Sequence, residues 1–301
     1  MASGYRARAA GLPGSTSPCG STGTGIFFTN EMTTHGAEAE TGMAEETTGK
    51  SPGRWRVFHD KFVVEERYMS ERDRKNLYRI AVGLMILGAV LFVSILASVL
   101  QQDGLTAADE PVRAWLLTLR SEPLTTGMII LAIVFGPVAL PIIILVVTVT
   151  WGLLAKHAWR PILLAGAMLT GVILGQIIGR TIGRQRPPVD LMLFGADYTF
   201  SFPSGHVLGA CDFLLVGTFL IFSRRHNRLA AVAGFLLAGV GIFFAAVSRL
   251  YLGYHWLTDA MASLSISFVV LGGVIALDTW RTARIRGEQI TGTLSRADTS
   301  Q

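Results

Sequence analysis

Residues 229–277 read "LAAVAGFLLAGVGIFFAAVSRLYLGYHWLTDAMASLSISFVVLGGVIAL", and this stretch decides the fold. Two apolar runs, 229–248 and 256–277, flank a short break. Each run meets the length of roughly 20 residues that a helix needs to cross a hydrocarbon core. The break itself, "SRLYLGYHWLTD" at 248–259, holds Arg249, His255 and Asp259. Ionisable groups at membrane depth are costly and mark function by default.

Outward from this pair, apolar runs recur at about 80–100, 125–154, 161–180 and 205–222, making six. Half of the 301 residues are apolar and 16% are charged, with the apolar residues gathered in blocks. The pattern predicts an all-α polytopic membrane protein, a six-transmembrane-helix bundle. The second run carries Gly136-Pro137 and Pro141 and is expected to bend rather than split in two. In the third, Gly171, Gly175 and Gly179 recur every four residues, a seam for close helix contact. "AADEPVRAWLLTLRSEPL" at 107–124 has the make-up of a short amphipathic helix lying at the interface.

The flanking segments have other compositions. Residues 1–52 are rich in Gly, Ser, Thr and Ala, with an acidic cluster at 38–46, and are expected to be a disordered tail. Residues 53–79 form a charged, partly helical lead-in to the first span at 80–100, and 278–301 a cytoplasmic tail. No secretory signal precedes the first apolar run, and translation from Met32 or Met43 is an alternative start. Cys19 and Cys211 have neither metal-type nor disulfide-type spacing.

Loop charges set the orientation. Lys156 and Arg160, then Arg224, Arg225 and Arg228, then Arg281, Arg284 and Arg286 share one side with Arg72, Arg74, Lys75 and Arg79. The positive-inside rule makes that side cytoplasmic. The net charge of +5 is thereby read as basic loops rather than as a nucleic-acid surface. On the other side Asp103, Asp109, Glu110 and Glu122 dominate the first loop, yet Arg180, Arg184, Arg186 and Arg249 also lie there. These arginines need a separate explanation.

Three segments meet on that outer side: "GRTIGRQRPP" (179–188), "FPSGH" (202–206) and the break at 248–259. His255 and Asp259, four apart, share a helix face, so the carboxylate can hold one ring nitrogen and leave the other as nucleophile or base. Arginine forks match phosphate oxygens. The start of the fourth span can present the N–H groups of Ser204 and Gly205 to the same anion. His206 is then free to protonate a leaving oxygen. Such a set suits phosphoryl transfer, where positioning and charge stabilisation supply most of the catalysis. It contains no carboxylate cluster that would hold a hard metal ion.

These segments resemble the motifs of the type-2 phosphatidic acid phosphatase superfamily. "SRLYLGYHWLTD" matches its Ser-Arg-x5-His-x3-Asp signature, "PSGH" at 203–206 its second motif, and "RP" at 186–187 the end of its first. The resemblance spans about 105–277 and implies a six-helix membrane phosphatase domain that needs no metal or other cofactor. It implies a phosphohistidine at His255 oriented by Asp259, with His206 as general acid. Ser204, Gly205, Arg186 and Arg249 would hold the phosphate. The family's first motif begins with lysine seven positions before Arg186, where this chain has Gly179. Arg180 or Arg184 is expected to supply that cation, Arg180 for turnover and Arg184 mainly for substrate binding.

The expected activity is hydrolysis of a lipid phosphate, either a phosphatidic-acid-like monoester or a polyprenyl diphosphate, at the outer face of the plasma membrane. A lipid phosphotransferase and an inactive lipid-binding relative are the alternatives. A vanadate-dependent haloperoxidase shares the motifs, but six apolar spans argue against that soluble enzyme type. The expected partners are the bilayer and the lipid substrate, with no nucleic acid.

Overall fold

In the computed structural model the described residues are 61–225, 227–289 and 294–297. They belong to one unit, Lys50–Gln301. The expected tail at 1–52, Cys19 and the start of the lead-in lie outside the described residues.

Eight α-helices occur among the described residues: α1 Glu71–Gln101, α2 Asp109–Thr118, α3 Glu122–Val134, α4 Ala139–Leu154, α5 Trp159–Ile182, α6 Gly205–Phe222, α7 Arg228–Tyr251 and α8 Leu257–Thr282. Helices α1, α5, α6, α7 and α8 are each long and apolar enough to span a membrane. The sixth candidate is α3 with α4, bent by 50° at a short break. The expected uninterrupted second span is therefore two helices. Pro137 lacks the N–H that would bond the Ile133 carbonyl, and its ring crowds that turn. Gly136 N–H bonds Ile133 O instead, and α4 restarts with Leu140 N–H on Gly136 O. Pro141 falls in the first turn of α4, where a missing N–H costs nothing.

Small residues let the long helices approach closely. A Cβ on Gly88 of α1 would sit 2.5 Å from Ser265 O of α8, and one on Gly272 of α8 would sit 2.6 Å from Ala81 O. The seam in α5 lies against α6: Gly175 faces the Leu208 side chain, and Gly171 faces the Asp212 carboxylate. Residues 104–118 form a 3₁₀ turn and then α2, which buries Leu116 and leaves Trp115 exposed. Arg120, just beyond α2, donates to Leu191 O at 2.8 Å and Tyr251 O at 2.9 Å, tying this surface helix to the ends of the spans.

The described part of the lead-in is helical from Glu71, as expected, but it also contributes a strand that the sequence reading did not include. Strand β1, Val64–Tyr68, pairs in parallel with β2, Ala283–Arg284, and with β3, Ser295–Ala297. Glu66 is buried between Arg281 and Arg284. Lys61 Nζ caps the carbonyls of Gly152 and Leu153 at the end of α4. These contacts strap the bundle end where α4, α6 and α8 finish. The three motifs lie at the opposite end, where α5 and α7 finish and α6 and α8 begin.

Candidate active site

Helix starts and ends converge here. Ser204 is the N-cap of α6 in extended conformation, and Gly205 is its first residue. The α7–α8 connection, 252–256, begins with Leu252 closing α7 and turns at Gly253 with φ +83°. A side chain at Gly253 would meet Leu191 O, so glycine is required by both conformation and space. Helix α8 opens with a capping arrangement, in which Asp259 Oδ2 accepts from Trp256 N at 2.9 Å.

His255 is almost fully buried. Its Nδ1 lies 2.9 Å from the Ser201 carbonyl oxygen and 3.4 Å from Asp259 Oδ2. Its Nε2 lies 3.1 Å from Arg186 Nη1. A guanidinium can only donate, so Nε2 accepts and the proton resides on Nδ1. Burial pushes the imidazole pKa down to about 4, opposed by the Asp259 carboxylate and assisted by the Arg186 and Arg249 charges. The ring is therefore neutral at neutral pH, with the unprotonated Nε2 accepting from Arg186.

Arg186 is held on every side. Its Nε donates to Thr199 O and its Nη2 to Thr199 Oγ1, while Nη1 donates to Tyr254 O at 2.8 Å. Asp197 Oδ2 pairs with Nη2 at 3.0 Å. Burial costs the Asp197 carboxylate, but the Thr199 hydrogen bonds and the Arg186 charge outweigh that and keep its pKa below the usual value. Arg249 is buried, with its guanidinium 4.2 Å from the centroid of the Tyr254 ring and its Nε without a hydrogen-bond partner. Ser204 is fully buried and its Oγ also lacks a partner. Two unpartnered buried donors beside a neutral imidazole are what an oxyanion would satisfy.

His206 projects from the first turn of α6 toward the break in the α3–α4 span, 3.6 Å from where a Gly136 Cβ would stand. It lies within electrostatic reach of Arg249, His255 and Arg186. The break forced by Pro137 thus falls beside this imidazole. Any larger residue at 136 would first collide with the Ala132 and Ile133 carbonyls and would also crowd the ring.

The structure brings Arg186, Arg249, Ser204, Gly205, His206, His255 and Asp259 to one end of the bundle. It does not bring Arg180 to them: that residue is exposed on α5 and makes no hydrogen bond or ion pair among the described residues. Its position on the last turn of a helix whose seam faces α6 turns the side chain outward. Arg184 is part-buried and faces the Asp259 edge remote from His255. Of the two candidates for the first-motif cation, Arg180 thus stands apart from the cluster and Arg184 pairs with Asp259 and Asp109.

Sequence reading missed Ser201, whose carbonyl holds His255 Nδ1 and whose hydroxyl donates to Asp259. It also placed Asp109 among exposed loop acids, whereas its carboxylate is buried against Thr258 and Arg184. An acid at the start of the amphipathic helix was the available signal, since an acid in a first turn bonds free N–H groups. Here those N–H groups belong to a different helix. Among the described residues no three His, Cys, Asp or Glu side chains are grouped to hold a metal ion.

Residues 160–283 match the family model of the PAP2 superfamily. Phosphatidylglycerophosphatase B of Bacillus subtilis (strain 168) is 26% identical over 186 residues, 60% of this chain and 88% of that protein. The protein of the same name from Escherichia coli (strain K12) is 35% identical over 88 residues, 29% of this chain and 31% of its own length. Among solved structures, the first transmembrane PAP2 type phosphatidylglycerolphosphate phosphatase from Bacillus subtilis has the same fold. It superposes with a TM-score of 0.57 at 23% identity, over 64% of this chain and 96% of that one. The three motifs thus lie in order at one end of a membrane bundle, within the segment 160–283 that matches the PAP2 superfamily model.

Proposed function

We propose that this chain is a lipid phosphatase acting on a glycerolipid phosphate monoester of the phosphatidylglycerophosphate kind, through a phosphohistidine on His255. The observation that carries the reading is the state of His255. Nδ1–H is fixed by the Ser201 carbonyl while Nε2 is unprotonated and points at Arg186. The substrate class is drawn from the relatives, which are named for that lipid.

In the first step Arg186 Nη1 turns its N–H from His255 Nε2 to a phosphoryl oxygen, and the freed Nε2 attacks phosphorus, with Arg249, Ser204 and the Gly205 N–H holding the other oxygens. The bond from phosphorus to the lipid oxygen breaks as His206 gives that oxygen its proton. Water then attacks the phosphohistidine, His206 takes a proton from it, and inorganic phosphate leaves with His255 restored. Asp259 steadies the positive charge that develops on the imidazole during attack. The charges neutralising the phosphate come from arginine, so no metal ion enters this scheme. We place the site on the non-cytoplasmic face, because the loops at the strapped end carry the excess of Lys and Arg. Three of the four outer arginines that depart from that rule are held within the cluster.

The test is phosphate release by the purified full chain in detergent micelles containing phosphatidylglycerophosphate, phosphatidic acid or a polyprenyl diphosphate. The expected result is fastest release from phosphatidylglycerophosphate, none by His255→Ala, and acid-labile phosphate on His255 in rapidly quenched wild type. Equal turnover by His255→Ala overturns the mechanism. Preference for the diphosphate overturns the substrate class.

A further inference from the structure

The Arg184 side chain joins two buried carboxylates that belong to different layers of the protein. Its Nη1 lies 2.6 Å from Asp259 Oδ1 in α8, and its Nη2 lies 2.7 Å from Asp109 Oδ2 at the start of α2. Nη1 also donates to Thr258 Oγ1 at 2.7 Å. Asp109 closes the group, with Oδ1 accepting from Thr258 N at 2.9 Å and Oδ2 from Thr258 Oγ1 at 2.7 Å. Side-chain exposure is 5% for Asp109, 16% for Arg184 and 0% for Asp259, so water screens these pairs weakly.

We propose that Asp109, acting through Arg184, is a positioning residue that fixes the Asp259 carboxylate behind His255. This deepens the phosphatase reading above and rests on it. The geometry directs Arg184 away from the His255 side of Asp259. Both terminal nitrogens are committed to carboxylates and Thr258, on the Asp259 edge opposite the one that faces His255. So placed, the guanidinium serves the two carboxylates, on the side of Asp259 away from His255. What it does is balance charge and set an angle. Asp259 receives Trp256 N–H and the Ser201 hydroxyl on Oδ2 and Arg184 on Oδ1. With both oxygens occupied the carboxylate cannot rotate, which keeps Oδ2 toward Nδ1.

Asp109 is needed because one guanidinium between a single carboxylate and a threonine could swing out to solvent. The second carboxylate holds the fork from the other side. It also bonds the Thr258 N–H, which has no partner within the first turn of α8, so the same side chain anchors the surface helix α2 to the helix that carries Asp259. The amphipathic segment read at the interface is in this way mechanically joined to the reacting histidine.

The test is a double-substitution cycle on the full chain, assayed with phosphatidylglycerophosphate in micelles, with kcat and KM separated. Asp109→Asn is expected to lower kcat by about 10-fold and Arg184→Met by about 10²-fold, the scale for losing one preorganised partner. KM should stay within about twofold for both, because the phosphate contacts of Arg186 and Arg249 are untouched. The double variant should be no slower than Arg184→Met alone, since residues acting as one unit are not additive. It can even recover, because it removes a buried carboxylate that has lost its cation. Arg184→Lys, which reaches only one carboxylate, should fall between wild type and Arg184→Met, and it serves as the readout if the methionine variant fails to fold. Losses that multiply in the double variant, or that appear in KM, overturn the positioning role and return Arg184 to the substrate. A wild type that releases no phosphate from any lipid phosphate overturns the phosphatase reading, and this inference with it.

Discussion

Asp259→Asn tests which group holds the reacting imidazole. Asparagine keeps the shape of the side chain but offers one acceptor oxygen where the aspartate offers two. In one orientation its NH₂ faces Arg184 Nη1, and in the other it faces Trp256 N–H; both place a donor against a donor. Leaving one buried donor unpaired costs about 1–3 kcal/mol. For a bundle this size a fall in Tm of several degrees is therefore expected, with the fold retained. The effect on turnover depends on the tautomer. If Asp259 alone held Nδ1–H, its loss would cost about 10⁴-fold, as for the buried aspartate of a serine protease triad. Here the nearer partner of Nδ1 is the Ser201 carbonyl at 2.9 Å, against 3.4 Å to Asp259. The tautomer should survive the substitution, and the loss reduces to the missing negative charge behind the developing imidazolium. That predicts about 10²- to 10³-fold in kcat, the range for one preorganised electrostatic partner. Phosphate release under single-turnover conditions measures it, with the melting curve as a control. A loss near 10⁴-fold with an unchanged melting curve would show that the Ser201 carbonyl does not hold the tautomer. Activity close to wild type would remove Asp259 from the mechanism.

Arg180→Ala should keep turnover within about threefold of wild type, because an exposed arginine without partners supplies no transition-state donor; a loss beyond about 10²-fold would restore it as the first-motif cation. The acid limb of kcat/KM should lie near pH 4 rather than 6.5, since burial depresses the His255 pKa to about 4 and the nucleophile is lost only as pH falls through that value. A limb near 6.5 in a pH-rate profile would contradict the burial seen for this ring. Single cysteines at Asp190 and at Arg225, in a background with Cys19 replaced, should differ toward an impermeant maleimide on intact cells. Labelling at 190 alone agrees with an outward-facing site, and labelling at 225 alone reverses the orientation.

The sequence by itself determined the membrane bundle and most of the proposed reacting set. Apolar runs of spanning length leave a backbone no choice but helix, because hydrocarbon satisfies no N–H or C=O. The positions of those runs were therefore readable to within a few residues, except at the lead-in, where β1 depends on strands contributed from beyond α8. His206, His255, Asp259, Arg186 and Arg249 were readable because each sits in a short motif whose spacing is carried by one helix end. The second span was legible as one apolar stretch, but its division at Pro137 and its meeting with His206 depend on which neighbour fills the bend.

Only the tertiary structure decided the fates of Arg180, Arg184 and Asp109. Arg180 and Arg184 are four residues apart across the end of α5, where the chain leaves the helix through Gly183 at φ +63°. That turn sends one side chain outward and the other under α8, and no local pattern in the sequence specifies it. Asp109 reads as one more acid in an acidic loop. It becomes a buried partner because α2 folds back over the start of α8, 149 residues away in the chain. Charge identity is a local property of sequence, whereas the counter-charge that each group meets is set by packing between distant helices.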